Sequence, residues 1–117
     1  PSISLTTDTS ALTALGNDYS FDIVFSRQCE ALVNKEDVVL AISTSGKSAN
    51  VVKGVEIARK KGARIISLLG GSGGDLKEMS NVSIIVDSNN TANVQEVHRV
   101  IMHVICKEIE RKLFKPD

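Results

Sequence analysis

The chain has 117 residues, which is the size of one domain. Lys plus Arg and Asp plus Glu both number 14, so the net charge is zero and a basic surface for nucleic acid or an anionic membrane is excluded. No apolar run approaches the roughly 18 residues of a membrane span, and no signal peptide opens the chain, so we expect a cytoplasmic protein without membrane contacts.

In chain order, short apolar segments rich in β-branched residues alternate with amphipathic segments. The opening residues 2–7 are interpreted as the tail of a strand, and the glycine-rich run 70–74 as a flexible turn rather than a ligand cradle. Buried strands are predicted at 37–43, 63–70 and 82–87. Helices are predicted at 8–16, 19–33, 48–62 and 91–114. This alternation predicts a single α/β domain, a three-layer αβα sandwich whose parallel sheet is covered on both faces.

The two cysteines give no sign of a metal site. Cys29 and Cys106 form no Cys-x-x-Cys pair and no cluster with the two histidines. We therefore expect both to be reduced thiols buried in the core of a cytosolic protein.

The segment "AISTSGKS" (41–48) joins a predicted strand to a predicted helix. It ends like a nucleotide-binding P-loop, but Ala41 stands where that loop needs its first glycine, so we expect no nucleotide. Helix N-termini attract phosphate, whereas an ordinary N-cap needs only one hydroxyl. The segment has four hydroxyls, which favours a monophosphate site over a plain cap; they belong to Ser43, Thr44, Ser45 and Ser48. Lys47 is expected to be solvated and without a role.

The last predicted helix is apolar over more than half of its circumference. A helix that lies on a sheet needs an apolar stripe only about 100° wide, so we expect a second body to cover this one, most simply a helix of a partner subunit. His98 falls within the apolar arc and is interpreted as a core histidine. From periodicity alone, His103 lies on the polar stripe and would be solvated.

Three segments resemble phosphoheptose isomerases, the sedoheptulose 7-phosphate isomerases of the sugar isomerase (SIS) domain superfamily. They are "LTTDTSALTALGNDYSFDIVFSRQ", "DVVLAISTSGKSANVVKG" and "VQEVHRVIMHVIC". The resemblance extends over residues 5–112. The hydroxyl-rich loop alone would indicate only the superfamily, whereas the Gly-Asn-Asp segment and the Gln-Glu-x-His start of the last helix indicate the isomerase and its close relatives.

The resemblance implies a SIS-domain, flavodoxin-like fold and a role for several residues. The residues implied to bind the substrate are Asn17, Asp18, Ser43, Thr44, Ser45, Ser48 and Gln95. His103 is implied to be catalytic, and some members bind zinc through the residues that match Gln95 and His103. The resemblance also implies a homotetramer with active sites at its subunit interfaces.

Two features depart from the family pattern. Lys47 stands where the family usually has Asn. The family's N-terminal segment, which supplies a catalytic Glu and a His metal ligand, has no counterpart here, and the chain begins with Pro1 rather than Met. We therefore expect the C-terminal portion of a longer chain, inactive by itself.

Gln95 and His103 are eight residues apart on the last predicted helix. That spacing corresponds to about 12 Å of rise and about 80° of rotation, so one small centre does not easily meet both side chains. Either Gln95 lies at an unwound start of the helix, or the site is shared between subunits.

The leading functional hypothesis is an aldose–ketose isomerase that converts sedoheptulose 7-phosphate to D-glycero-D-manno-heptose 7-phosphate through an enediol. Two alternatives stay open: a non-enzymatic relative that binds the bacterial replication initiator, and a sugar-phosphate-sensing module. Neither alternative needs His103, so its presence favours the enzyme.

Overall fold

The computed structural model describes residues 1–114 and contains a three-stranded parallel sheet. The strands lie side by side in chain order: β1 (Val38–Ser43), β2 (Arg64–Gly70) and β3 (Val82–Val86). All three predicted strands are confirmed to within one residue at each end. Because the strands are parallel, their carboxyl ends lie at one edge of the sheet, where the loops that follow them meet.

Five α-helices accompany the sheet within the described residues. They are α1 (Thr9–Asp18), α2 (Val24–Leu32), α3 (Ala49–Lys60), α4 (Gly74–Met79) and α5 (Thr91–Leu113). Polar side chains define where two of them begin: the Asp8 carboxylate accepts the N–H of Ala11, and the Asn90 side chain accepts the N–H groups of Ala92 and Asn93. None of these helices is long and apolar enough to cross a membrane.

Two local expectations were wrong, and one short helix was not predicted. Residues 2–7 form a turn instead of a strand, because Ser and Thr hydroxyls there bond to nearby polar groups, as Thr7 Oγ1 does to the Ser4 carbonyl. The predicted helix 19–33 is interrupted: the Ser20 hydroxyl accepts the Asp22 N–H and starts a short 3-10 helix, Phe21–Ile23, before α2. The turn 70–74 leads directly into α4, which is too short to show a helical period.

Helices cover both faces of the sheet, as the predicted αβα sandwich requires. On one face, α3 and α4 pack against β1 and β2, with α2 behind α3. The centre of that core is aliphatic, and its fully buried members include Val55, Ala58, Ile65, Leu69 and Leu76. On the other face, α5 packs on β2 and β3.

His98 ties α5 to the sheet. Its side chain is 2% exposed, and its Nε2–H donates to the backbone carbonyl of Leu69 in β2 at 3.0 Å. A carbonyl oxygen only accepts, so Nε2 carries the hydrogen in this bond, and the buried Nδ1 has no hydrogen-bond partner within the described residues. The prediction of a core histidine at this position is confirmed.

Within the described residues, α5 leaves one part of its sheet face uncovered. The side chains of Val38, Leu40 and Ile42, which point to that face from β1, are 60%, 44% and 44% exposed. The expectation that every strand is covered on both faces is therefore wrong for β1, because α5 reaches only β2 and β3. Apolar residues of α5 are exposed as well, namely Val97, Val100, Val104 and Ile109. What covers them stays a prediction.

The two cysteines differ in their surroundings. Cys29 lies on α2 and is buried in the core, as predicted. Burial raises the pKa of its thiol more than the nearby Lys61 ammonium lowers it. Cys106 is exposed. The prediction of a core thiol was wrong for Cys106, because this residue belongs to the arc of α5 that the described residues do not cover.

This difference predicts selective alkylation of the folded 117-residue chain. Iodoacetamide reacts with thiolates, so we expect Cys106 to be modified within minutes at pH 8 and Cys29 to react only after unfolding in urea. Peptide mass spectrometry of native and urea-treated samples measures both sites. Equal reaction rates in the native chain would contradict the placement of Cys29.

Candidate active site

The loop between β1 and α3 contains a hydrogen-bonded pair of serine hydroxyls. Ser43 is 5% exposed, and its Oγ accepts the Gly46 N–H at 3.1 Å and lies 3.0 Å from Ser48 Oγ. A buried hydroxyl that already accepts one hydrogen bond is best satisfied when it donates to its neighbour. Either hydroxyl of this pair can be the donor; when Ser43 donates, the hydrogen of the Ser48 hydroxyl is left for a ligand.

Ser48 is the N-cap of α3 and yet does not cap it. Its side chain makes no hydrogen bond to the first turn of the helix. An N-cap serine normally accepts the N–H of the second or third helical residue. The N–H groups of Ser48 and Ala49 also donate no hydrogen bond within the described residues. The start of α3 therefore has a serine hydroxyl that bonds only to Ser43, beside two N–H groups without a partner within the described residues. Groups of this kind bind anions at helix N-termini.

Ser45 and Thr44 extend this donor set. Ser45 Oγ accepts the Lys47 N–H at 3.2 Å, which leaves the hydrogen of this exposed hydroxyl free. Thr44 is half-buried beside it. The sequence pattern makes the four hydroxyls look equivalent, but their surroundings differ. Ser43 is buried and bonds to Gly46 and Ser48, Thr44 and Ser48 are half-buried, and Ser45 is exposed.

A close backbone contact fixes the loop after β1 against the loop after β2. Gly46 adopts φ +65°, and a Cβ placed on it would lie 1.9 Å from the Gly73 carbonyl oxygen. The Gly46 carbonyl accepts the N–H of Leu76 at 3.2 Å. Residues 70–74 are thus packed against the hydroxyl loop, which the prediction of a flexible turn did not anticipate.

A cleft of about 270 Å³ opens where the loops after all three strands meet. Its lining is polar and contains one charged residue; the lining residues are Thr44, Ser45, Lys47, Gly70, Gly71, Ser72, Ser88, Asn89, Thr91 and Val94. Gly70 makes the floor possible, since a Cβ there would lie 2.4 Å from the Thr44 carbonyl and 2.9 Å from Val94. The cleft thus brings Thr44 and Ser45 together with polar residues that the sequence analysis missed.

Ser72, Ser88 and Asn89 are among those missed residues. One signal could have identified them, because each follows the carboxyl end of a strand, where parallel sheets bind ligands. The Asn89 side chain lies close to Gly71, because a Cβ added to Gly71 would be 3.0 Å from Asn89 Oδ1.

The remaining predicted site residues lie outside this cleft. Asn17 and Asp18 are exposed at the end of α1, where the Asn17 amide donates to the Asp18 carboxylate at 2.8 Å. Gln95 and His103 are exposed on α5. Because α5 begins at Thr91, Gln95 lies within the regular helix, and the alternative of an unwound start is wrong.

Residues 1–114 do not by themselves form a zinc site. Within residues 1–114, no three His, Cys, Asp or Glu side chains are close enough together to hold a metal ion. Gln95 and His103 are separated by about 12 Å of helical rise and supply at most two ligands, whereas zinc usually has four. A metal bound through both positions would need further ligands from outside the described residues.

The fold and the loop define a class of protein. Residues 1–70 match the model of the SIS domain, which covers the hydroxyl loop and the first two strands. The chain belongs to the SIS domain family.

Similarity to individual proteins narrows the relationship of the chain within this family. The chain is 54% identical over 114 residues to the phosphoheptose isomerase of Citrifermentans bemidjiense, covering 97% of this chain and 59% of that protein. It is 52% identical over 109 residues to the phosphoheptose isomerase of Helicobacter pylori, covering 93% and 57%. The chain thus spans less than two thirds of the length of these curated relatives.

Solved structures agree with this relation. The phosphoheptose isomerase of Francisella tularensis superposes with a TM-score of 0.91 at 43% identity, over 95% of this chain and 60% of that one. The enzyme of Neisseria gonorrhoeae gives a TM-score of 0.89 at 46% identity, over 92% and 61%.

The contact between the two loops predicts a large stability effect at Gly46. We expect Gly46→Ala to lower the free energy of unfolding by about 3 kcal/mol, because a left-handed residue gains a Cβ that meets the Gly73 backbone. Gly16→Ala, within α1, is the matched control, because a Cβ at this position would contact only the Phe21 side chain, at 3.8 Å. We expect this control to be neutral or about 1 kcal/mol stabilising. Urea unfolding measures both, and equal effects would mean that the loops are not packed together.

Proposed function

We propose that the chain is the C-terminal portion of an aldose–ketose isomerase that converts sedoheptulose 7-phosphate to D-glycero-D-manno-heptose 7-phosphate. This reaction supplies heptose for bacterial lipopolysaccharide precursors in the cytoplasm. The observation that carries the proposal is the Ser48 hydroxyl at the start of α3, which bonds to Ser43 but caps no N–H of the helix. This hydroxyl supplies a hydrogen-bond donor for a phosphate group, in a chain that is about half identical to proteins named phosphoheptose isomerase.

In this proposal, the loop 43–48 anchors the phosphate, and the cleft beside it receives the sugar. Ser45, Ser48 and Thr44 donate hydroxyl hydrogens, and the α3 N-terminus adds N–H groups and its partial positive charge. The phosphate and the reacting carbons are at opposite ends of the sugar. Binding one end therefore restricts the position of the other and lowers the entropic part of the barrier.

His103 is the proposed proton-transfer group. A base removes a proton from the carbon next to the carbonyl while the carbonyl oxygen gains one, which gives an enediol. The hydroxyl on the first carbon then loses its proton, and the former carbonyl carbon gains one. An imidazole suits this exchange near neutral pH. Gln95, Asn17 and Asp18 orient substrate hydroxyls in this proposal, and no step is assigned to zinc.

The position of His103 supports a site shared between subunits. Val94 lines the cleft, and His103 is nine residues further along α5, which corresponds to about 14 Å of rise. Val100 and Val104 flank His103 and are exposed and apolar. A homotetramer in which these surfaces are buried would bring His103 to the cleft of another copy.

The catalytic role is tested by His103→Ala in the full-length protein. We expect kcat for sedoheptulose 7-phosphate to fall by roughly 10²- to 10⁴-fold with little change in KM, because a proton-transfer group is lost. The matched control is Lys107→Ala, which removes an exposed side chain one helical turn further along and should retain activity. Full activity of His103→Ala would remove the histidine from the mechanism. Failure of the wild type to isomerise the sugar, with or without zinc, would refute the proposed reaction.

The phosphate loop is tested by Ser45→Ala combined with Ser48→Ala. We expect KM to rise by about 100-fold with kcat within a few-fold of wild type, because two hydrogen bonds to a charged ligand are lost. Ser10→Ala, at an exposed position of α1, is the control and should behave like wild type. Unchanged kinetics of the double variant would mean that the loop only starts a helix.

A further inference from the structure

We propose that Lys47 is a phosphate-binding residue of this site, so that this chain holds the substrate phosphate by charge as well as by hydroxyls. The inference rests on the proposed function and goes beyond it. The family usually has Asn at this position, so the hydroxyl set alone does not provide the charge. The sequence pattern alone indicates no role for Lys47.

The cleft itself singles out Lys47. It is the one charged side chain among the residues that line the cleft, and no carboxylate lies among them. A cation in a cleft without a counter-ion favours an anionic ligand. Hydroxyls from Ser45 and Thr44 line the same cleft, so the ammonium and the hydroxyls can act on one phosphate.

Lys47 is also free of other partners within the described residues. Its Nζ makes no ion pair and no hydrogen bond there, in contrast to Lys53, whose Nζ bonds to the Asp22 carboxylate at 3.2 Å. A ligand phosphate therefore breaks no existing interaction when it binds the Lys47 ammonium.

The beginning of the Lys47 side chain is held in place. Its backbone N–H donates to Ser45 Oγ at 3.2 Å, and its Cγ lies against Gly74, where an added Cβ would come within 2.7 Å of it. The backbone contact that joins the two loops thus also positions the stem of the lysine. Only the end of the chain remains to be ordered, which reduces the entropic cost of binding.

Lysine binds phosphate as a point charge, so its contribution depends on ionic strength. We expect Lys47→Asn, which restores the usual family residue, to weaken binding of inorganic phosphate and to raise KM by about tenfold at 20 mM salt. We expect kcat to stay within about twofold, because the reacting carbons are remote from the phosphate. Between 20 and 300 mM salt, binding should weaken clearly in the wild type and only slightly in the variant.

The experiment uses the full-length protein, with the Kd of inorganic phosphate measured by calorimetry and KM measured with sedoheptulose 7-phosphate. Lys47→Arg should keep affinity within about threefold and keep the salt dependence, because it keeps the charge. Lys60→Asn, an exposed position at the end of α3 and outside the cleft, is the charge-matched control and should match wild type.

The possible outcomes separate the two proposals. If Lys47→Asn has the wild-type phosphate affinity and salt dependence while the Ser45→Ala, Ser48→Ala variant loses affinity, the role of Lys47 is refuted and the phosphate loop stands. If the wild type binds no phosphate, both proposals fail. If Lys60→Asn weakens binding as much as Lys47→Asn, the effect is one of net charge and the specific role is refuted.

Discussion

The contact between Gly46 and Gly73 is the constraint on which the cleft depends. Any side chain at Gly46 would collide with the carbonyl oxygen of Gly73, so the loops after β1 and β2 meet backbone to backbone. Gly70 makes a similar approach to Thr44 and Val94, which places the start of α5 at the floor of the same cleft. Three loops that are distant in sequence therefore form one rim, and glycines set its width.

The hydroxyl loop also departs from the usual N-cap arrangement, in which the side chain of the N-cap residue bonds to the first turn of the helix. An unused N-cap hydroxyl forgoes about 1 kcal/mol of helix stability. Such exceptions to local preference are expected at functional sites, where a group is kept free for a ligand. Ser43 is consistent with this view, since it meets the needs of the turn at Gly46 and leaves Ser48 for binding. Of the four hydroxyl residues of the loop, only Thr44 and Ser45 line the cleft.

Much of the fold could be predicted from sequence because its signals are local. The apolar β-branched strands and the cap residues mark their own boundaries, and the place of His98 in the apolar arc predicted its burial correctly. The cleft could not be predicted in the same way. Asn89 lines it because β3 lies next to β2, and Cys106 is exposed because no described residue covers that arc of α5. Both properties depend on tertiary neighbours that one periodic pattern does not contain.

The same helix carries the structural and the proposed catalytic histidine, and burial separates them. His98 donates to Leu69 inside the chain, so its imidazole is already used for packing. His103 is exposed between apolar side chains that have no cover within the described residues. Covering Val100 and Val104 would favour assembly through burial of apolar surface, and it would also remove bulk water from around His103. In the proposed enzyme, assembly and catalysis therefore depend on one surface, which is why the histidine looks solvated in a single chain.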